Sequence, residues 1–216
     1  MLVAAWCTVV GVTACRTTTA SAPERPSPAV TRGGAAGMPQ RDHSAADVAF
    51  MQGMIAHHAQ ALVMTDLVPA RSGRPDMRLM AERIDVAQRD EIARMHQWLE
   101  VRGERVPAVA AHHEHGGAMH AGAAMGADTL MPGMLTAEEL DRLARATGTE
   151  FDRLFLQYMI RHHEGALTMV ARLFGTPGAG QESEIFGLAS DVDADQRAEI
   201  RRMQSLLASL PGGGRQ

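Results

Sequence analysis

The sequence predicts an all-α fold, a four-helix bundle assembled from two copies of one helical hairpin. Three observations carry this. No stretch of the 216 residues alternates strongly at period two, as a half-buried strand would. The segment MIAHHAQALVM at 54–64 returns 105 residues later as MIRHHEGALTM, and Phe50–Met64 matches Phe155–Met169 at nine of fifteen positions. The helical stretch after each copy repeats too: Gln88-Arg89-Asp90-Glu91-Ile92-Ala93-Arg94-Met95 against Gln196-Arg197-Ala198-Glu199-Ile200-Arg201-Arg202-Met203. A repeated pair of consecutive helices is a hairpin, and two hairpins face to face bury each other's apolar sides.

The first segment to justify is the N-terminus. Leu2–Ala14 is apolar or small but too short to span a bilayer comfortably. It ends in Val12-Thr13-Ala14-Cys15, which looks like a bacterial lipoprotein cleavage box, although no Arg or Lys precedes the apolar run. Residues 1–15 are therefore expected to be a signal peptide. Lipid on Cys15 would anchor an exported protein at the outer face of the cytoplasmic membrane or in the cell envelope. Cleavage there removes Cys7, so no disulfide is expected to hold the fold. Residues 16–42, rich in Thr, Ser, Pro, Gly and Ala, read as a disordered tether.

The bundle is expected over 43–210. In its first hairpin, 43–103, Ser44 and Asp47 start a helix that runs to about Val68. Pro69 and Gly73 end it, and the second helix begins near Pro75 and stops before Gly103. The second hairpin spans 136–210. It opens with a short piece capped by Thr136 and Glu139, which Gly148 interrupts. The third long helix then covers Thr149–Phe174, and the fourth about Glu182–Leu210; residues 211–216 are a tail. Between the hairpins lies a His/Met-rich linker, 107–134, with no trustworthy helical period.

Composition narrows the chemistry. Apolar residues are 45% of the chain but aromatics only 4%, so Ala, Leu, Ile, Val and Met must build the core. The net charge of −4, with no basic run, excludes a nucleic-acid surface. No Ser nucleophile elbow, phosphate-binding Gly loop or His-Glu-x-x-His signature is present, so no enzyme activity is expected.

The unusual residues are fifteen Met and ten His. At 100° per residue, Phe50, Met54, His57, Ala61 and Met64 share one stripe of the first helix, with His58 on its shoulder. Phe155, Met159, His162, Ala166 and Met169 repeat the stripe, flanked by His163. Counting from each turn places Gln88 and Glu91 level with His57, and Gln196 and Glu199 level with His162. An up-down-up-down order would make the first and third long helices diagonal and parallel, with His57 and His162 approaching across the bundle. Four histidines and two glutamates in one layer can satisfy each other or hold a metal. Imidazole with thioether suits copper, as Cu(I) or Cu(II), although another transition metal is also compatible.

The candidate ligands are thus His57, His58, His162 and His163, with Met54 and Met159, then Glu91 and Glu199. In the linker they are His112, His113, His115, His120 and Met119. Blander readings stand beside them. Met64, Met95, Met169 and Met203 read as core filler, Glu91 and Glu199 as partners of Arg, and the linker as a solvated loop.

The patterns Asp47-x-x-Phe50-x-x-x-Met54-Ile55-x-His57-His58-x-x-Ala61, Gln88-x-x-Glu91-Ile92-x-x-Met95, Met131-Pro132-Gly133-Met134-Leu135-Thr136 and Phe155-Leu156-x-x-Met159-Ile160-x-His162-His163-Glu164-Gly165-Ala166 together resemble the bacterial family called domain of unknown function 305. The likeness covers about residues 44–210. It implies a ferritin-like four-helix bundle and an exported protein associated with copper binding and copper tolerance. Its strongest positions are His57, His58, His162 and His163, with Met54 and Met159 next.

The leading expectation is a copper-binding protein that buffers, sequesters or hands on the metal, its partners being the ion, the membrane through Cys15, and a copper-transfer partner or a second copy. One alternative is a ferritin-like metal-dependent oxidase. Di-iron bundles use Glu-x-x-His pairs, and no His here has Glu three residues before it. The other alternative is a metal-free envelope adaptor whose histidines sense pH or fill the core.

Overall fold

The structure, a computed structural model, describes residues 42–108 and 130–211. The expected signal peptide, Cys15, nearly all of the tether, and the linker candidates His112, His113, His115, His120 and Met119 lie outside the described residues. Among the described residues every regular element is a helix.

Helix α1, Ala45–Thr65, starts as its caps dictate: the Ser44 hydroxyl accepts the Asp47 N–H at 3.1 Å, and the Asp47 carboxylate accepts the Ser44 N–H at 2.8 Å. It ends earlier than the sequence suggests, because a separate one-turn helix, α2 (Val68–Arg71), forms around Pro69. Pro75 opens α3, Pro75–Val101, where its missing N–H costs nothing. Thr136 and Glu139 form the expected reciprocal cap of α4, Ala137–Arg145. The break falls at Ala146–Thr147, and α5, Gly148–Gly175, begins on the glycine itself. Finally α6 spans Ser183–Ser209, capped by Glu182.

The four long helices do not alternate in chain order. Around the bundle α1 packs on α3 and α5, and α6 packs on α5 and α3. At one end Asp47 accepts the Gly180 N–H at 2.7 Å, and Trp98 Nε1–H donates to Glu182 at 3.0 Å. There the start of α1 meets the end of α5, and the end of α3 meets the start of α6. At the other end Arg74 donates to Ser209 at 3.4 Å. Helices α1 and α5 are therefore adjacent and antiparallel rather than diagonal and parallel. The chain leaves α3 at one end of the bundle and re-enters in α5 at the other, so the second hairpin is turned end for end. An approximate two-fold axis across the α1–α5 seam relates the hairpins.

The core forms two apolar clusters. One holds Ala61, Met64, Met77, Ile84, Phe151, Phe155, Met159 and Met203; the other holds Phe50, Met54, Ile55, Met95, Leu99, Ala166, Val170, Ile185 and Val192. Between them lies a polar layer at mid-height: His57, His58, Gln88, Glu91, His162, His163, Gln196 and Glu199, all buried.

A strap, residues 131–135, crosses the α1–α5 seam at this height. The Gln60 amide holds it at both faces of one residue, donating to the Leu135 carbonyl at 3.0 Å and accepting the Leu135 N–H at 2.7 Å. Leu135 is buried. Gly133, at φ 77°, and Gly165 on α5 nest backbone to backbone: a Cβ on Gly165 would collide with the Pro132 carbonyl, and one on Gly133 with the Arg161 carbonyl.

Candidate metal centre

The centre is built from the two His-His steps. Because α1 and α5 cross antiparallel at mid-length, the local two-fold brings His57 against His162, with ring centroids 3.8 Å apart and planes inclined by 37°. Each of these rings lies 6.3 Å from its sequence neighbour, at an interplanar angle of 57° in both halves. The duplicated sequence has thus produced duplicated geometry.

The outer histidines of the layer point to the second helix of their own hairpin. His58 Nε2 donates to Glu91 Oε2 at 2.6 Å, and His163 Nε2 donates to Glu199 Oε2 at 2.7 Å. The count from the turns therefore placed both glutamates at the right height. Their partner is a histidine rather than an arginine. On the seam, His57 Nε2 donates to the Pro132 carbonyl of the strap at 3.0 Å.

These bonds fix which nitrogen remains. A carbonyl can only accept, so His57 carries its hydrogen on Nε2 and its lone pair on Nδ1. With Nε2 donating to a carboxylate, His58 and His163 likewise turn Nδ1 away from that partner. His57 Nδ1, His58 Nδ1, His163 Nδ1 and both nitrogens of His162 are buried without a hydrogen-bond partner, as are Glu91 Oε1, both amide atoms of Gln88 and the Gln196 carbonyl. Each such atom costs about 1–3 kcal/mol if nothing satisfies it. A histidine whose far nitrogen is held by a carboxylate or a backbone carbonyl is the usual arrangement around a bound metal.

Electrostatics keep the inner pair neutral. Burial, then the neighbouring His58, push the His57 pKa from 6.5 down to about 3, against the opposing hydrogen bond to Pro132. Burial, then His57 and His163, hold His162 well below the ordinary histidine range. Neutral imidazoles are the form that binds metals.

Among the described residues no three His, Cys, Asp or Glu side chains converge as a ready-made metal cage. The donors come instead as the inner pair and the two carboxylate-backed outer rings. Met54 and Met159 are fully buried in different clusters, one on either side of the layer, so the expected thioethers flank the histidines symmetrically. A donor set of imidazole and thioether suits a soft, low-coordinate ion better than a hard one.

Gln88 and Gln196, which the count from the turns places beside the glutamates, are buried in the layer as well. The sequence reading missed the Pro132 carbonyl, whose signal was the Pro-Gly turn in Met131-Pro132-Gly133-Met134.

Comparison with known proteins gives a consistent picture. The family profile described as "Domain of unknown function (DUF305)" matches residues 47–207. A DUF305 fragment from Deinococcus radiodurans superposes with a TM-score of 0.62 at 27% identity, covering 78% of this chain and 99% of that one. A DUF305 protein from Streptomyces coelicolor, provisionally described as secreted, gives 0.61 at 27% identity, covering 77% and 93%. CopM in its Cu(II)-bound form gives 0.56 at 29% identity, covering 74% and 94%; CopM structures in Cu(I)-bound and Ag-bound forms are also similar. No curated protein matches the chain.

Proposed function

Because the chain belongs to the DUF305 family, we propose that it is an exported copper-binding protein that buffers, sequesters or hands on copper through His and Met ligands. One observation carries the reading. The bundle buries four histidines in a single layer, fixes three of them through Nε2, and leaves their Nδ1 atoms without a hydrogen-bond partner. Copper is the element the donor set favours, and the similarity to CopM in its Cu(I)- and Cu(II)-bound forms supports that choice.

No catalytic role is assigned. Glu91 and Glu199 are each engaged with a histidine, and no Glu-x-x-His pair supplies the carboxylate-rich site of a di-iron oxidase. In this reading the two glutamates orient ligands and stay outside the coordination shell. Export and anchoring through Cys15 belong to the same proposal. No helix among the described residues is long and apolar enough to cross a membrane.

The test is titration of the chain with Cu(I) and Cu(II), beside a variant carrying Ala at His57, His58, His162 and His163 and another lacking residues 109–129. Tight binding lost in the histidine variant supports the bundle as the site. Binding lost only with the linker deletion would move the site to His112, His113, His115, His120 and Met119. Absence of binding in the intact chain would favour the metal-free adaptor.

A further inference from the structure

The two halves of the repeat differ beside the strap. Tyr158 on α5 is the counterpart of Gly53 on α1, and Met169 is the counterpart of Met64. Met64 is fully buried in its cluster, whereas Met169 is only half-buried. Met169 stands over Gly53. A Cβ placed there would stand 3.3 Å from the Met169 methyl and 3.4 Å from the Met131 sulfur. A thioether from α5 and one from the strap therefore converge over the bare backbone of Gly53. Both are partly exposed. Met131 is held in place, because its strap is pinned by the Pro132, Gly133 and Leu135 contacts to α1 and α5. Gly53 precedes His57 by four residues, one helical turn.

Building on the copper reading, we propose that Met131 and Met169 form a two-thioether capture site for a soft monovalent ion, Cu(I) in particular, at the solvent edge of the α1–α5 seam. Thioethers bind Cu(I) and discriminate against Cu(II), zinc and the hard divalent ions. The site lies one turn above the His57–His162 pair, on the side where the linker reaches the bundle. An ion held there is one turn of helix from the Nδ1 donors, and the glycine lets it approach the backbone of α1. Met64 and Tyr158 occupy the equivalent place in the other half, so among the described residues the repeat supplies no second such site.

Ag(I), which cannot be oxidised under these conditions, is the probe. The full chain, labelled at the methionine methyls, is titrated with Ag(I) and followed by carbon-proton correlation spectra, the two resonances being assigned from Met131→Leu and Met169→Leu. The expected result is movement of both methyls within the first equivalent, and at least about tenfold weaker Ag(I) and Cu(I) binding in the double Leu variant. Leu conserves the packing volume. Met64→Leu, a core change, is expected to leave affinity unchanged; an equal loss there would show that the effect is one of packing and overturn the site. Silver bound with both methyls stationary and histidine signals moving would overturn the capture site while leaving the copper reading intact. No silver binding at all would overturn both.

Discussion

His58 and His163 are each secured by one short bond to a buried carboxylate, so Glu91 and Glu199 hold the orientation of the layer. Replacing Glu91 with Leu leaves the buried Nε2–H of His58 unpaired and is expected to cost about 1–3 kcal/mol, read as a lower denaturation midpoint of the metal-free protein. A midpoint unchanged from wild type would show that the bond contributes nothing. His57 and His162 give a second prediction. The unfolded chain takes up a proton on each near pH 6.5, whereas folded His57 resists protonation down to about pH 3. The unfolded state thus binds more protons in that interval, and stability falls as pH falls. The slope is up to about 1.4 kcal/mol per pH unit for each histidine. Urea midpoints of the metal-free protein between pH 7 and pH 5 are expected to drop, and less steeply in His57→Gln. A pH-independent midpoint would contradict the depressed pKa. At this scale the sequence was informative about residue type and height. Duplication marked the histidines, and counting residues from the turns found their glutamates. It could not show which nitrogen each partner would claim, because that depends on ring orientation and on where the Pro132 carbonyl lands in the folded strap.

Helix boundaries followed from local chemistry. Ser44–Asp47 and Thr136–Glu139 are caps whose geometry is set within four residues, and Pro75 fits only a first turn. The strap was the element that the periodicity missed. Its place depends on a long-range fit, with Gly133 and Gly165 in backbone contact and Gln60 bonded to Leu135. Substituting Gly165 with Ala is expected to unseat the strap while sparing the helices, since Ala is the better helix former. Amide exchange at Leu135, whose N–H is given to Gln60, should accelerate at least about tenfold while helical content by circular dichroism stays unchanged. Retained protection at Leu135 would mean that the strap accommodates the methyl and that the fit is loose.

At the level of the whole molecule, the repeat foretold a four-helix bundle but not the direction of its second half. Short connections make neighbouring helices antiparallel, and that rule set α3 against α1 and α6 against α5. It has no force across a connection as long as 102–147, where chain order stops constraining direction. What settled the matter is the match of the two apolar faces. Turned end for end, each hairpin offers the other its Phe, Met and Ala in complementary order, and the polar rows coincide at mid-height.

A connection that occurs once cannot obey a two-fold axis. Its strap, residues 131–135, lies on one face of the seam, and there the twin positions have parted company: Gly53 and Tyr158, Gln60 and Gly165. In the buried layer the twins remain alike, His58 with His163 and Glu91 with Glu199. The strap thus gives an otherwise two-fold molecule a front and a back.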